Sequence, residues 1–423
     1  MEQPQEQVNK KIKLDNEKIN NNTDNNTDNN TDNNTDNKEN NNNNSVEKKK
    51  RNKGRFVFKQ YNIHHELCAQ KVGTDALLVA GYTSIAKFKP YNLKEENKNS
   101  INNQLDELVF GSEEKPYDYE LGKQYDKIIN YDEEYENNNN DADYWPKYIL
   151  DIGTGSNILS IMLGQRFKKS IINSIDIDES AIKQASINID TIYEQGKSIT
   201  DRIYLFHTPI QQFNPLDLVD NENKEEEGIE KKHKHQIRLN KDKETIKNIP
   251  EQRFTPSSDG LYDLIISAPP YFPTDPANDK NVSSMQTNRR IARHTHTLTM
   301  EDLVLSVKGL LRPDIGVFTT IVSVPDPSDD LELAANKHGL SCLEIIDVTD
   351  APNTKIIRKM YTFKLFSNQD DAQKIETIKR NFSIYETGIK DSTLRNHRKH
   401  STPYKWMLND FCDHFLKESD QNK

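Results

Sequence analysis

Two short apolar runs each end in an unusual turn, and together they restrict this chain to few architectures. Lys147 to Leu150 leads into Asp151-Ile152-Gly153-Thr154-Gly155, and Tyr262 to Ile266 leads into Ser267-Ala268-Pro269-Pro270-Tyr271-Phe272. Both runs read as buried strands. A glycine turn after one strand and a rigid Pro-Pro-aromatic turn after another suit an open α/β sheet, in which loops beyond the strand ends carry the ligand sites.

The rest of the chain supports one such domain. Only 33% of its 423 residues are hydrophobic, so much of the length cannot bury enough apolar surface to offset ordering entropy. Residues 1–54 read as a disordered low-complexity tail, with a repeated Asn-Asn-Thr-Asp unit and a basic block, Lys48 to Arg55. The block suits a nuclear import signal, a phosphate-binding arm or a plain solvated linker. The folded domain is expected over 55–418, interrupted by Asn- and charge-rich insertions at about 90–144 and 214–258. His233 and His235 in the second insertion read as solvated, so no metal is expected.

Order is expected to begin with a strand across Phe56–Ile63 and a helix from Ala76 to Ile85, capped by Thr74 or Asp75. From Trp145 strands and helices alternate, the pattern of a parallel sheet with covering helices. Strands are predicted at Lys147–Asp151, Ile171–Ile177, Arg202–His207, Tyr262–Ser267, Gly316–Val322, Leu343–Val348 and Lys359–Phe366. Helices fit Ile158–Phe167, Glu179–Asp190, Met300–Leu311 and, last, Pro403–Leu416, with Trp406, Leu408, Phe411 and Phe415 on its apolar side. The net charge of −10 argues against generic nucleic-acid binding, but the tail and insertions supply many of the acids. Three distant cysteines, no membrane-length apolar run and no secretory leader predict a soluble intracellular protein, in cytoplasm or nucleus.

The glycine turn admits two cofactor classes. A nicotinamide enzyme needs a third glycine, which would fall at Ile158, and Asp151 would bring a carboxylate toward the pyrophosphate. S-adenosylmethionine carries no phosphate but a cationic ammonium and sulfonium, which Asp151 at the strand end attracts. Asp176, ending the next strand, is placed for ribose hydroxyls in either case. A tight turn with no ligand is the bland alternative.

The proline turn suits chemistry on adenine N6. That nitrogen is a poor nucleophile, because its lone pair is delocalised into the ring. Methylation needs acceptors that draw its hydrogens out of the ring plane. Pro269 and Pro270 stiffen the turn, and Tyr271 can stack on a base taken out of its helix. Ala268 offers no side-chain acceptor, and Ser267 points to the other side of the strand.

With these residues the chain resembles the bacterial tRNA valine-1 (adenine-N6) methyltransferases, which modify an anticodon-loop adenine. The resemblance runs through Phe56-Val57-Phe58-Lys59-Gln60-Tyr61, Cys68 to Asp75, Ile149 to Gly155, Ile210 to Phe213, Asp263 to Phe272, Arg290 to Thr295 and Thr402-Pro403-Tyr404. It implies a class I, Rossmann-like methyltransferase fold: a seven-stranded, mostly parallel sheet, helices on both faces and a last antiparallel strand at Lys359–Phe366. It implies S-adenosylmethionine as donor and RNA, tRNA above all, as partner. Lys71, Thr74, Asp151, Gly153 and Gly155 would surround the methionyl end, with Asp176 on the ribose. Ala268, Pro269, Pro270 and Tyr271 would form the catalytic turn, and Arg290, Arg293 and His294 would meet substrate phosphates. The chain departs from the family at Asn157, where a further glycine stands, at Pro209, where an acid contacts the donor's adenine, and at Ala268, where the family has Asn. The alternative reading is a catalytically impaired methyltransferase-fold protein that binds RNA or a partner.

Overall fold

Apolar runs covered on both faces form the middle of the sheet, and helices with one buried stripe close over it. The computed structural model describes residues 54–84, 145–196, 198–215, 261–269, 298–388 and 398–412. A two-stranded hairpin, β1 (Arg55–Val57) and β2 (Asn62–His64), precedes helix α1 (Thr74–Thr83). Then follow β3 (Tyr148–Ile152), α2 (Ile158–Arg166), β4 (Ile171–Asp176), α3 (Glu179–Glu194) and β5 (Ile203–His207). After these come β6 (Leu264–Ser267), α4 (Met300–Leu310), β7 (Val317–Ser323), α5 (Asp326–His338), β8 (Leu340–Thr349) and β9 (Ile356–Leu365). Short α6 (Gln369–Gln373), β10 (Ile378–Ser383) and α7 (Thr402–Leu408) complete the described elements.

The main sheet has the order β10-β8-β9-β7-β6-β3-β4-β5, and only β9 runs against the rest. Strand order therefore reverses at β3, with β4 and β5 to one side and β6 and β7 to the other. In open α/β sheets that reversal opens a crevice beyond the carboxyl ends of the strands. Side chains alternate across the sheet. Ile149, Ile172, Ile203 and Leu264 pack under α1, α2, α3 and α7. Leu150, Ile152, Ile265 and Phe318 pack under α4 and α5.

Five local expectations need correction. The sheet has eight strands rather than seven, because β10 pairs parallel with β8 at the edge. Its sequence, IKRNFS, buries only Phe382, so it carries no apolar run. Phe56–Ile63 is a hairpin, not one strand: the Phe58 amide donates to the Tyr61 carbonyl at 2.9 Å and turns the chain back. Helix α1 is capped by Gly73 with no side-chain bond, because Asp75 is drawn to Arg358 at 2.9 Å instead. Helix α5 escapes a hydropathy reading because it is acidic, burying only Ser328, Leu331, Ala334 and Ala335. Helix α7 ends at Leu408 rather than Leu416; Phe415 and Leu416 lie outside the described residues. So do the tail up to Lys53 and both insertions apart from Asn214 and Pro215.

One buried arginine ties the helical layer together. Arg166 at the end of α2 donates to the Gly81 carbonyl (3.2 Å), the Ser84 hydroxyl (2.8 Å), the Met407 carbonyl (2.8 Å) and Asp410 (3.2 Å). Its guanidinium also lies 4.6 Å from the Phe411 ring centroid. Removing it takes a charged donor from the buried Met407 carbonyl, the Ser84 hydroxyl and Asp410, while the Gly81 carbonyl keeps the Ser84 hydroxyl at 2.9 Å; a buried acceptor left without a donor costs about 1–3 kcal/mol. Arg166→Ala should therefore lose roughly 3 kcal/mol or more in urea unfolding, with an unchanged slope. A loss below about 1 kcal/mol would show that water replaces the guanidinium.

Candidate active site

The two turns singled out in the sequence begin at adjacent strand ends. Ile152, the last residue of β3, stands in register with Ser267, the last of β6. The buried Ser267 hydroxyl donates to the Ile152 carbonyl at 2.9 Å, so the two strand ends are joined by a side chain as well as by the ladder. That use of Ser267 leaves it on the α4/α5 side of the sheet. Ala268 packs instead against the core beneath α1 and α2, the side that Asp151 also faces.

The glycine turn is built on left-handed backbone. Gly153 has φ 71°, Gly155 φ 55° and Asn157 φ 66°. Such angles favour glycine, and asparagine is among the few other residues that adopt them readily. Asn157 therefore keeps the backbone that a further glycine would give. The turn is pinned by the Gly153 and Thr154 amides, which donate to the Ile175 carbonyl of β4 at 2.9 and 3.0 Å. A side chain added at Gly153 or Gly155 would meet nothing within 4 Å, so space is open over both.

Asp151 is fully buried below this turn. One oxygen, Oδ2, accepts from the Thr154 and Ser160 hydroxyls, each at 2.7 Å. The Ser160 hydroxyl also lies 2.7 Å from that of Ser174. The other oxygen, Oδ1, is buried and has no hydrogen-bond partner among the described residues. Burial raises the carboxyl from its ordinary 3.8 to about 6, against the opposing hydroxyl bonds. Asp176 is raised to about 6 by the same cause, although the Asp178 and Gly155 amides each donate to it at 2.9 Å. Both carboxyls thus hold protons to higher pH in the folded chain than unfolded. Their contribution to stability falls as pH rises from about 4 to about 6. The buried Oδ1, which has no donor among the described residues, is suited to a cationic or hydrogen-bonding partner that those residues do not supply.

The segment before α1 reaches the same edge of the sheet. Arg358 pairs in register with Ser323 at the carboxyl end of β7, and Asp75 is bound to it. The start of α1, with exposed Lys71 and Thr74 beside Asp75, is thereby held at the strand ends. The structure brings Asp151, Gly153, Gly155 and Asp176 together, with Ala268 and the buried Pro269 directly after the end of β6. Pro270, Tyr271, Arg290, Arg293 and His294 lie outside the described residues. Pro209 follows β5 and opens a short 3-10 turn, and the Thr208 amide donates to the Asp176 carbonyl at 3.0 Å.

Sequence reasoning missed Ser160, Ser174, Gln184 and Asn188. Each is a buried polar residue inside an apolar stretch of α2, β4 or α3. A polar residue in a buried register was the available signal, because such groups need partners. Among the described residues no group of three or more His, Cys, Asp or Glu side chains could hold a metal ion. No described helix is long and apolar enough to cross a membrane.

Comparison with known proteins agrees with this geometry. The model of the family Ribosomal protein L11 methyltransferase (PrmA) matches residues 133–219, which include the glycine turn, β4 and β5. A tRNA1(Val) (adenine(37)-N6)-methyltransferase of Proteus mirabilis is 24% identical over 75% of this chain and 82% of its own length. One of the same name from Christiangramia forsetii is 22% identical over 84% of this chain and 96% of its own. A solved structure of a predicted O-methyltransferase from Agrobacterium tumefaciens aligns with 62% of this chain and 94% of its own, at 14% identity and TM-score 0.36. The strand order is that of the class I methyltransferase fold, and the sequence is similar over most of its length to the tRNA1(Val) (adenine(37)-N6)-methyltransferases.

Proposed function

We propose that this protein transfers a methyl group from S-adenosylmethionine to adenine N6 of a structured RNA, a tRNA first of all. The observation that carries the reading is the glycine turn beside the proline turn at the reversal of strand order, with the unpartnered Asp151 Oδ1 beneath. S-adenosylmethionine supplies an electrophilic methyl on a sulfonium sulfur. Asp151 attracts the ammonium of the donor, and Asp176 accepts from its ribose hydroxyls. Lys71 and Thr74 close the methionyl end. Pro269 and Pro270 hold the turn rigid, and Tyr271 stacks on the extruded base. Bound there, the donor would pass its methyl to adenine N6, with S-adenosylhomocysteine as the leaving product and the N6 proton passing to solvent. Backbone carbonyls of the proline turn take the acceptor role that Ala268 cannot. Arg290, Arg293 and His294 bind phosphates. The tail over 1–54 and the insertions at about 90–144 and 214–258 lie outside this chemistry.

The impaired reading finds no support in the relatives, both of which bear an enzyme's name. Nor do they, as bacterial proteins, support a nuclear role for the basic block. Asn157 keeps the left-handed backbone of a glycine, which removes one of the three departures from the family pattern.

Two measurements check the proposal. A cation beside Asp151 favours the ionised carboxyl, so it lowers a value that stands at about 6 in the free protein. Donor binding at pH 6 should release a proton, and affinity should rise from about pH 5 to about pH 7. Calorimetry in two buffers of different ionisation enthalpy reads the release; Asp151→Asn should diminish it and weaken binding. Binding without proton release would place the cation elsewhere. Mass spectrometry of nucleosides from tRNA incubated with protein and labelled donor should show N6-methyladenosine. Ala268→Asn should raise that yield at least about tenfold, and Tyr271→Ala should abolish it. Label on another nucleoside, or rates indifferent to both changes, would overturn the assignment.

A further inference from the structure

A pair of amides on α3 holds the segment before α1 against the glycine turn. Asn188 is fully buried. Its Oδ1 accepts from the His64 amide at 2.8 Å, and its Nδ2 donates to the His64 carbonyl at 2.8 Å and to the Ser156 carbonyl at 2.8 Å. One side chain thus grips both backbone groups of the last residue of β2 and, at the same time, a carbonyl inside the glycine turn. One helical turn earlier, Gln184 Oε1 accepts from the Leu67 amide at 2.9 Å. Positions four apart share one face of a helix, so the two amides act along one line. Beyond Leu67 the segment closes on itself, the Val72 amide donating to His65 Nδ1 at 3.4 Å. Burial first, then the carboxylates of Asp176, Asp178 and Glu66, push the Cys68 thiol up to about 12, which sets this segment beside the acid at the end of β4.

We infer that Asn188 is a positioning residue for the donor, coupling the segment that carries Lys71 and Thr74 to the glycine turn through Ser156. The inference rests on the methyl-donor reading and names a residue that reading does not use. Neither partner of Asn188 has another side chain in its place: a carboxamide alone offers one acceptor and two donors here. An aspartate would keep the bond from the His64 amide but set a carboxylate against two carbonyls. Both Asn188→Ala and Asn188→Asp should therefore misplace the turn and the segment together.

The test measures binding of S-adenosylmethionine by calorimetry and steady-state methyl transfer in the full chain. Asn188→Ala and Asn188→Asp should raise the donor Kd and KM about tenfold, with kcat at saturating donor within about threefold of the parent. Gln184→Ala, which removes a single bond from the segment and leaves the turn untouched, should raise Kd about threefold. Val304→Ala, in α4 on the opposite face, should lower the melting temperature and leave Kd unchanged. If the parent binds donor and both Asn188 variants bind it within twofold, this inference is wrong and the site reading stands. So too if Val304→Ala raises Kd as much as they do, because the effect is then one of stability. If the parent itself binds no donor, the site reading fails and takes this inference with it.

Discussion

The Ser267 hydroxyl donates to the Ile152 carbonyl across the last rung of β3 and β6, and the chemistry of this molecule follows from that seam. Neighbouring strands in a sheet stand about 5 Å apart. Two turns leaving adjacent strand ends at the reversal of strand order are therefore held within one ligand's length of each other. Neither turn alone implies a methyltransferase. A glycine bend serves many cofactors, and a double proline stiffens many loops. Their shared edge restricts the reading, because the buried Asp151 lies one residue before the strand end that pairs with Ser267, where the double-proline segment leaves β6.

Electrostatics then sharpen the choice of ligand. A carboxyl as buried as Asp151 is costly to ionise, and two hydroxyls on one oxygen offset only part of that cost. An amide or apolar side chain there would avoid that cost. A carboxyl with one oxygen unpartnered is instead suited to exchange its proton for a positive charge brought by a ligand. The same turn would repel a pyrophosphate. Asn157 lies in the same pocket: its Oδ1 is 3.2 Å from the Thr154 hydroxyl, and the shorter 2.7 Å contact of that hydroxyl is to Asp151.

Much of this was legible in the residues. Central strands announce themselves because both faces are apolar, as in Tyr148–Ile152 and Leu264–Ser267. The turns are legible because Gly and Pro have backbone preferences that survive any context. Edge and surface elements were not. Strand β10 has one buried side chain, and α5 is acidic over its first half, so packing rather than pattern defines them. The hairpin of β1 and β2 reads as one alternating strand until the Phe58–Tyr61 turn is seen. Within the site, Asp151, Gly153, Gly155 and Asp176 could be named from local order. Ser160 and Ser174 showed only as polar residues in a buried register, 9 and 14 positions from their partners, and Asn188 meets partners up to 124 positions away. The proline turn beyond Pro269 and the basic residues Arg290, Arg293 and His294 lie outside the described residues, so their reading still rests on sequence alone.

A crystal structure of the protein with S-adenosylmethionine bound tests the central claim most directly. The account predicts the ligand's ammonium on the Asp151 side of the glycine turn, its ribose at Asp176 and its methyl facing the turn that begins at Ala268. Ligand density on another edge of the sheet, or a methyl directed away from Ala268, would contradict it.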